Sequence, residues 1–500
     1  MLRTSSYVIY VDLPDSREEM LIVHGYSGAY DRVSRNVGSY LRSLEAGPAP
    51  APLYGEWSSS PAEPPGCALP SEATIERLQK RGYLTEKTKE DEEQFFTRVA
   101  DQHHGQMLNG RLTYILMPTY DCNLRCSYCF QDHMRTNPAF GHLLRTMQPS
   151  MIDRMLKAWT RIEARHHMPA GFRRDITFFG GEPLLAGLRP TIESILEKTK
   201  ALGEARFGAV TNATDLDAYG DLLHPEGISW LQITLDGPQR EHDQRRIYAD
   251  GSGSYERIAR NLTMALDQGV RVSVRMNIDR TNVDQLPELA DEIVARGWDR
   301  YSNFSAYTAP IHANNGKTEV TTTLSSWQLD KALTKMREEY PNMQVISLPD
   351  DGMLARVQRL FERQSDPSAF FKSSFCGAHN GMYVFDAFGD IYSCWERTGN
   401  PGVRIASITE DGDVAWDEAS QKLWRSRTVT SNPTCRKCRY ALYCGGGCAV
   451  LAMDFRQEFF TNFCDGFGSR FRYAVAKAYE NNLEQGGAEA ARERESVCGS

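Results

Sequence analysis

The chain lacks long apolar runs. Its 500 residues contain no stretch of eighteen apolar side chains, and no basic-then-apolar leader follows Met1. We therefore expect neither a membrane span nor a signal peptide. Positive charge is also in deficit, since 57 Lys and Arg residues stand against 65 Asp and Glu residues. The net charge of −8 argues against a broad nucleic-acid surface, although it leaves room for a local basic groove.

Most of the 12 cysteines of the chain are clustered. Three of the 12 cysteines, Cys122, Cys126 and Cys129, have the spacing C-x3-C-x2-C, which chance rarely produces in 500 residues. Three thiolates would hold a [4Fe–4S] cluster and leave one iron open to a small molecule. A structural zinc site or a disulfide framework is the alternative. Zinc, however, usually takes four closed protein ligands, and disulfides are typical of secreted chains.

A second group of cysteines lies some three hundred residues later. Its central quartet has the spacing C-x2-C-x5-C-x3-C, and three more cysteines flank it. In chain order the seven are Cys376, Cys394, Cys435, Cys438, Cys444, Cys448 and Cys464. A four-cysteine zinc ribbon would explain the quartet but would leave the flanking three without a role.

The residues around the first triplet read D-C-N-L-R-C-S-Y-C-F over 121–130 and resemble the signature of the radical S-adenosylmethionine superfamily. The resemblance implies that the amino and carboxylate groups of S-adenosylmethionine chelate the open iron. One electron from the cluster would then yield a 5′-deoxyadenosyl radical, which abstracts a hydrogen atom from the substrate.

Further segments follow in the order that this family requires. Residues 180–183 resemble its G-G-E-P motif, although two glycines after a strand by themselves indicate only a tight turn. Residues 211–214 resemble its T-N-G-T strand end. Residues 231–246 resemble its S-L-D-G-P…H-D-x-x-R segment, whose last arginine would otherwise be a solvated surface residue. The resemblance implies that S-adenosylmethionine is bound by Tyr128, Gly180, Gly181, Glu182, Thr234, Arg246 and Tyr307. No catalytic side chain is assigned.

The later cysteines, with Gly389 among them, resemble the SPASM extension of the same superfamily, which carries two auxiliary clusters. The resemblance implies that Cys435, Cys438, Cys444 and Cys464 ligate one cluster, and that Cys376, Cys394 and Cys448 ligate the other. The second set is one ligand short. A substrate thiolate, water, His379, Cys67 or Cys498 could complete it, although the last two are otherwise ordinary free thiols. The expected cofactors are thus S-adenosylmethionine and three [4Fe–4S] clusters.

The chain between and after these motifs alternates β-like runs with helical stretches. Six β-like runs begin at Thr113, Ile176, Ala209, Leu231, Val270 and Tyr301. This order predicts an α/β fold with a partial, TIM-like (β/α)6 radical SAM barrel. The predicted ligand groups would lie at the carboxyl ends of its strands.

About 120 residues precede Cys122, the first cysteine of the triplet. Residues 7–13 and 19–23 predict paired strands, 30–44 a helix, and 74–81 a second helix closed by Gly82. The pattern resembles the winged-helix-like element with which many maturases of ribosomally made peptides bind a leader peptide as an added strand. A merely structural cap is the alternative. We predict five segments: the recognition domain at 1–105, the radical SAM core at 106–315, a bridge at 316–374, the SPASM domain at 375–470, and a helix with a tail at 471–500.

These expectations lead to one main hypothesis and two alternatives. The main one is a cytoplasmic maturase that crosslinks a precursor peptide through a thioether or carbon–carbon bond and receives electrons from flavodoxin or ferredoxin. An anaerobic sulfatase-maturating enzyme is the second, but its family places a catalytic aspartate where Trp395 follows Cys394, and tryptophan is no base. A non-catalytic iron–sulfur carrier or scaffold is the third.

Overall fold

The computed structural model describes residues 2–45, 68–108, 110–348, 351–361 and 370–483. Cys67, Cys498 and the whole Pro-rich stretch at 47–66 lie outside the described residues. The chain divides into two compact units. The first comprises residues 1–106, 350–376 and 427–500, and the second comprises 107–349 and 377–426. The five-segment division remains a prediction.

Fifteen strands are found in the described residues. They are β1 (Arg3–Thr4), β2 (Val8–Asp12), β3 (Glu19–His24), β4 (Tyr30–Ser34), β5 (Leu84–Thr85), β6 (Thr113–Met117), β7 (Arg174–Phe178), β8 (Ala205–Thr211), β9 (Ile228–Thr234), β10 (Arg271–Ile278), β11 (Phe304–Pro310), β12 (Met382–Asp386), β13 (Asp390–Tyr392), β14 (Arg404–Ile408) and β15 (Val414–Trp416).

Sixteen α-helices accompany them in the same residues. They are α1 (Arg35–Ser43), α2 (Glu72–Lys80), α3 (Lys89–Leu108), α4 (Asp132–Thr136), α5 (Pro149–Arg165), α6 (Arg189–Leu202), α7 (Gln239–Arg245), α8 (Tyr255–Asp267), α9 (Leu286–Ala295), α10 (Ser326–Glu339), α11 (Asp351–Gln358), α12 (Glu418–Arg425), α13 (Pro433–Arg436), α14 (Ala441–Cys444), α15 (Ala449–Arg456) and α16 (Phe467–Asn482). None of the helices that the structure describes is long and apolar enough to cross a bilayer.

The second unit is built on one ten-stranded sheet. Its order is β11-β10-β9-β8-β7-β6-β12-β13-β14-β15. Strands β6 to β11 are parallel, and neighbours in sequence are neighbours in space. An α-helix lies in every crossover between them except that from β8 to β9, where Leu216–Leu222 form a 3₁₀ helix. The predicted α/β fold with a partial (β/α)6 barrel is confirmed. Strand β12 adds to β6 in parallel, and β13 to β15 continue as an antiparallel extension that the alternating pattern did not predict.

The two faces of the parallel strands differ in burial. In β10, Val272, Val274 and Met276 are fully buried, whereas the intervening Ser273 and Arg275 are half-buried. Alternate side chains point to opposite faces of a strand. One face therefore belongs to the apolar core, and the other, here called the inner face, carries polar side chains that solvent can reach.

The first unit contains the antiparallel sheet β2-β3-β4 and helices α1 to α3. The predicted helix at 30–44 is only partly right, because its first five residues form β4. Ser34 then caps helix α1 by accepting a hydrogen bond from Val37 N at 3.3 Å. The alternating burial of Y-D-R-V-S fits a strand, and the serine cap marks where helical geometry begins.

The core of the first unit joins the amino-terminal sheet to the late cysteine region. Ile9 and Leu21 of the sheet share one apolar cluster with Phe96, Leu442 and Phe471, all of them fully buried. Residues at the two ends of the sequence thus fold together, an arrangement that no local pattern in the chain indicates.

Candidate functional site

The first three cysteines lie in the loop that follows β6. Their thiols form no disulfide and are partly accessible. Leu124 N donates to Cys122 Sγ at 3.4 Å, and Arg135 Nη2 donates to Cys129 Sγ at 3.1 Å. Such donors stabilise thiolates, so this set of sulfurs fits an iron–sulfur cluster.

Burial opposes ionisation of these thiols in the absence of a metal. It raises the pKa of Cys122 to about 12 and that of Cys126 to about 11. Among the described residues no three His, Cys, Asp or Glu side chains converge on a single ion. In a cluster each thiolate binds a different iron, so the sulfurs need not meet at one point.

The glycine turn after β7 lies directly against the cysteine loop. A Cβ at Gly181 would lie 2.0 Å from Asp121 O and 2.4 Å from Tyr120 O. Gly180 adopts φ +127°, a conformation that side chains disfavour. The glycines therefore let two loops of the protein meet, and the sequence argument for close backbone approach holds for this contact.

Glu182 joins the same turn to the end of β8. Its carboxylate is buried and accepts hydrogen bonds from Thr211 Oγ1 at 2.7 Å, Asn212 N at 2.6 Å and Leu184 N at 2.9 Å. Burial raises its pKa to about 7, while these donors oppose the shift. Glu182 thereby fixes the glycine turn, and its predicted contact with the cofactor stays a prediction.

Arg246 lies in a buried network and is not a solvated surface residue. Its Nη1 donates to Tyr128 Oη at 2.6 Å and lies 3.9 Å from Asp236 Oδ2. Asn277 Nδ2 donates to the same tyrosine oxygen at 3.1 Å, and that hydroxyl donates to Asp236. Burial would lower the pKa of Arg246, but Cys126, Tyr128 and Asp236 together raise it. A permanent positive charge thus sits beside the cysteine loop.

Thr234 and Tyr307 occupy the inner face of the sheet. Thr234 ends β9 and pairs in register with Arg275 of β10, which pairs in turn with Tyr307 of β11. The Tyr307 hydroxyl reaches across β10 to donate to Gln232 Oε1 at 2.7 Å. Five of the seven predicted cofactor contacts are thus placed along the carboxyl edge, and Thr234 and Tyr307 lie on the face below it.

The sequence reasoning missed the polar residues of β10 and β9. Gln232, Arg275 and Asn277 share the inner face with Thr234 and Tyr307. The signal was present in R-V-S-V-R-M-N, where polar and apolar residues alternate from Arg271 to Asn277.

Four of the later cysteines come together within the first unit. Burial raises the pKa of Cys435, and the neighbouring thiols of Cys444, Cys438 and Cys464 raise it further. Asn462 Nδ2 donates to Cys464 Sγ at 2.8 Å. This is the set that the SPASM resemblance assigns to one auxiliary cluster.

The other predicted ligands fall in both units. Cys376 and Cys448 belong to the first unit, and Cys394 follows β13 in the second. His379 is buried in the second unit, where its Nδ1 donates to Trp424 O at 2.8 Å. Their joint ligation of a cluster remains a prediction.

Trp395 lies beside the glycine turn. Its ring centroid is 5.8 Å from that of Phe179, the residue that precedes Gly180. The tryptophan that stands in place of an aspartate therefore packs at the carboxyl edge of β7.

Comparisons with known proteins agree with this arrangement. Residues 116–293 match the family model of the Radical SAM superfamily. The chain is 21% identical over 389 residues to a cysteine-type anaerobic sulfatase-maturating enzyme of Clostridium perfringens, covering 73% of this chain and 96% of that protein. It is 29% identical over 195 residues to GTP 3′,8-cyclase 1 of Pseudomonas aeruginosa, covering 38% of this chain and 53% of that protein.

Solved structures show the same fold. The structure of histidine-tagged anSMEcpe with bound AdoMet matches with a TM-score of 0.55 and 16% identity, covering 77% of this chain and 98% of that chain. Native anSMEcpe with bound AdoMet matches with a TM-score of 0.53 and 15% identity, covering 76% of this chain and 100% of that one.

Proposed function

Because residues 116–293 form a radical SAM domain and the chain is related to anaerobic sulfatase-maturating enzymes, we propose that it is a maturase that crosslinks a ribosomally made peptide. The position of β4 at the edge of the amino-terminal sheet is the observation that carries this choice. The cluster and S-adenosylmethionine, when bound, would supply a 5′-deoxyadenosyl radical at the carboxyl edge of the sheet.

Several side chains would hold and orient these groups. Cys122, Cys126 and Cys129 would ligate the cluster, and Arg246 has the planar fork that suits the carboxylate of the cofactor. Glu182 would keep the glycine turn against the cysteine loop through its three hydrogen bonds. These roles follow from the positions of the side chains in one unit and from the family resemblance.

The amino-terminal sheet would bind the leader peptide. In the part of the chain that the structure describes, β4 is an edge strand with no strand on its outer side. Arg35 N donates to Glu18 O, so the alternation of an antiparallel pair turns the N–H groups of Asp31 and Val33 toward β3. The N–H and C=O of Arg32 then face outward, which suits addition of a peptide strand.

The reaction balances if the substrate loses two hydrogens. One electron enters to cleave the cofactor, and 5′-deoxyadenosine carries away one hydrogen atom. Closing the crosslink would release a proton and an electron, and a proposed auxiliary cluster would accept that electron. Cys435, Cys438, Cys444 and Cys464 would hold one of these clusters, and Cys376, Cys394 and Cys448 the other.

Formylglycine formation is the second candidate, favoured by the match across 96% of the clostridial enzyme. The resemblance to that family requires an aspartate where this chain has Trp395, which packs against Phe179. Glu396 follows Trp395 directly, but its side chain leaves the backbone one residue later than the aspartate of that family would. We therefore rank this activity below crosslinking.

The test is anaerobic reconstitution followed by counts of iron and sulfide and an assay for 5′-deoxyadenosine with leader-plus-core peptides. About twelve irons and a peptide lighter by two hydrogens would support the proposal. An aldehyde in a sulfatase-type peptide would favour the second candidate. Four irons or fewer without cofactor cleavage would favour a scaffold.

A further inference from the structure

Arg275, on the inner face of the sheet, has no acidic partner among the described residues. Arg275 is half-buried in β10, and its Nε donates to Asn277 Oδ1 at 2.9 Å. No Asp or Glu side chain among the described residues forms an ion pair with it. In the same unit, Arg174, Arg245 and Arg404 each pair with a carboxylate at 3.1 Å or less.

The surroundings of Arg275 are polar but neutral. Tyr307 and Gln232 are joined by a hydrogen bond on the same face, and Thr234 is the register partner of Arg275. Burial raises the pKa of Tyr307, whereas the nearby guanidinium lowers it, so the positive charge lies close to the phenol. A half-buried charge in such a setting favours an incoming opposite charge.

Arg275 lies apart from the network of Tyr128 and Arg246, although its register partners Thr234 and Tyr307 are predicted cofactor contacts. Asn277 contacts Tyr128 and lies two residues nearer the carboxyl end of β10. Arg275 is therefore one pleat, roughly 7 Å, further from the cysteine loop along the inner face. A group bound there would lie further from the cysteine loop than the Tyr128 hydroxyl does.

We propose that Arg275 binds a carboxylate of the substrate peptide and thereby selects which residue faces the radical. The guanidinium offers a planar pair of donors that fits a carboxylate side by side. This inference rests on the proposed function, because it assumes a peptide substrate. The carboxylate could belong to an Asp or Glu side chain or to the peptide's carboxyl terminus.

Chemical labelling tests the binding without turnover. The reconstituted enzyme is treated with p-hydroxyphenylglyoxal, which modifies arginine, and labelling of Arg275 is quantified by mass spectrometry. We expect acetyl-Phe-Glu-Phe-amide to protect Arg275 and acetyl-Phe-Gln-Phe-amide to leave it reactive. Arg271, exposed on the same strand, is the internal control and should label equally in all samples.

Two labelling results would overturn the proposal. If S-adenosylmethionine alone protects Arg275, the site serves the cofactor. If the Glu and Gln peptides protect Arg275 equally, the site does not distinguish a carboxylate from an amide. Neither result depends on crosslinking, so failure of this inference is distinguishable from failure of the proposed function.

Steady-state kinetics with a peptide that the enzyme modifies give the second measurement. Replacing the recognised carboxylate by an amide should raise KM roughly tenfold for the wild type. Arg275→Gln should raise KM similarly and remove the difference between the two peptides, with Arg275→Lys intermediate. Arg271→Gln should retain the wild-type discrimination. A discrimination that survives in Arg275→Gln would refute the assignment.

Discussion

At the scale of single residues, Gly181 leaves no room for a side chain. Gly181→Ala would place a methyl group 2.0 Å from Asp121 O, a backbone atom that cannot rotate away. We expect a loss of about 2 kcal/mol or more in stability and a loss of iron at the cysteine triplet, because the glycine turn and the cysteine loop must separate. Thermal unfolding and iron analysis measure both effects.

Gly187→Ala is the matched control for this substitution. A Cβ at Gly187 meets no atom within 4 Å, although the residue lies only six positions further along the chain. This variant should keep its iron. If the two variants behave alike, close packing is not the reason for the glycine at position 181.

Asp386 gives a prediction for pH. It is buried at the end of β12, and burial followed by the charge of Asp390 raises its pKa from 3.8 to about 7. The folded chain therefore holds this proton up to about pH 7, whereas the unfolded chain releases it near pH 4. Its contribution to stability is present at low pH and falls by on the order of 3 kcal/mol as pH rises through this window.

Asp386→Asn should remove this pH dependence, because the amide resembles the protonated acid and can still contact Tyr120, whose hydroxyl now donates to Asp386 Oδ2 at 3.0 Å. Urea unfolding of the metal-free, reduced protein at pH 5 and pH 8 compares the two chains. If the free energy of unfolding falls equally from pH 5 to pH 8 in the wild type and in Asp386→Asn, groups other than Asp386 cause the pH dependence.

At the scale of secondary-structure elements, β4 is predicted to be the strand that binds the leader peptide. Arg32→Pro removes the outward N–H of β4 and leaves the inward hydrogen bonds to β3 intact. We expect leader binding to fall at least about tenfold, since a main-chain hydrogen bond is lost and the ring obstructs the edge. Fluorescence anisotropy with a labelled leader peptide measures the affinity.

The side chain of Arg32 must be separated from its backbone. Its Nε donates to Glu19 Oε2 at 2.8 Å, so Arg32→Ala removes this half-buried pair but keeps the N–H. We expect Arg32→Ala to bind the leader nearly as the wild type does. Equal weakening in both variants would mean that the leader binds to side chains and not to the strand edge.

The elements also show how far sequence reasoning reaches. The parallel strands and the cysteine loop were predictable because periodicity and cysteine spacing are local. Strand β4 was not separated from α1, since residues 30–44 carry apolar side chains that suit a helix until the Ser34 cap is recognised. Arg275 was missed because its proposed role depends on which strands lie beside β10. It also depends on the lack of a carboxylate partner among the described residues, which the sequence alone does not show.

At the scale of the whole chain, the late cysteine region and the amino-terminal sheet belong to one compact unit. Tyr7 Oη donates to Arg436 O, Arg439 Nη1 donates to Val8 O at 2.6 Å, and Tyr443 Oη donates to His24 O at 3.2 Å. These bonds tie helices α13 and α14, with the connection between them, to β2 and β3. A cluster held by the nearby cysteines would therefore stabilise the sheet that is proposed to bind the leader.

Hydrogen exchange can test this link. In a variant with Cys435, Cys438 and Cys444 all changed to alanine, we expect faster exchange in β2 and β3, because loss of the metal loosens the helices that anchor them. The matched variant with Cys122, Cys126 and Cys129 changed to alanine should lose cofactor cleavage yet keep protection in both strands. Unchanged exchange in the first variant, despite its loss of iron, would show that the sheet is stable without the cluster and that leader binding does not depend on it.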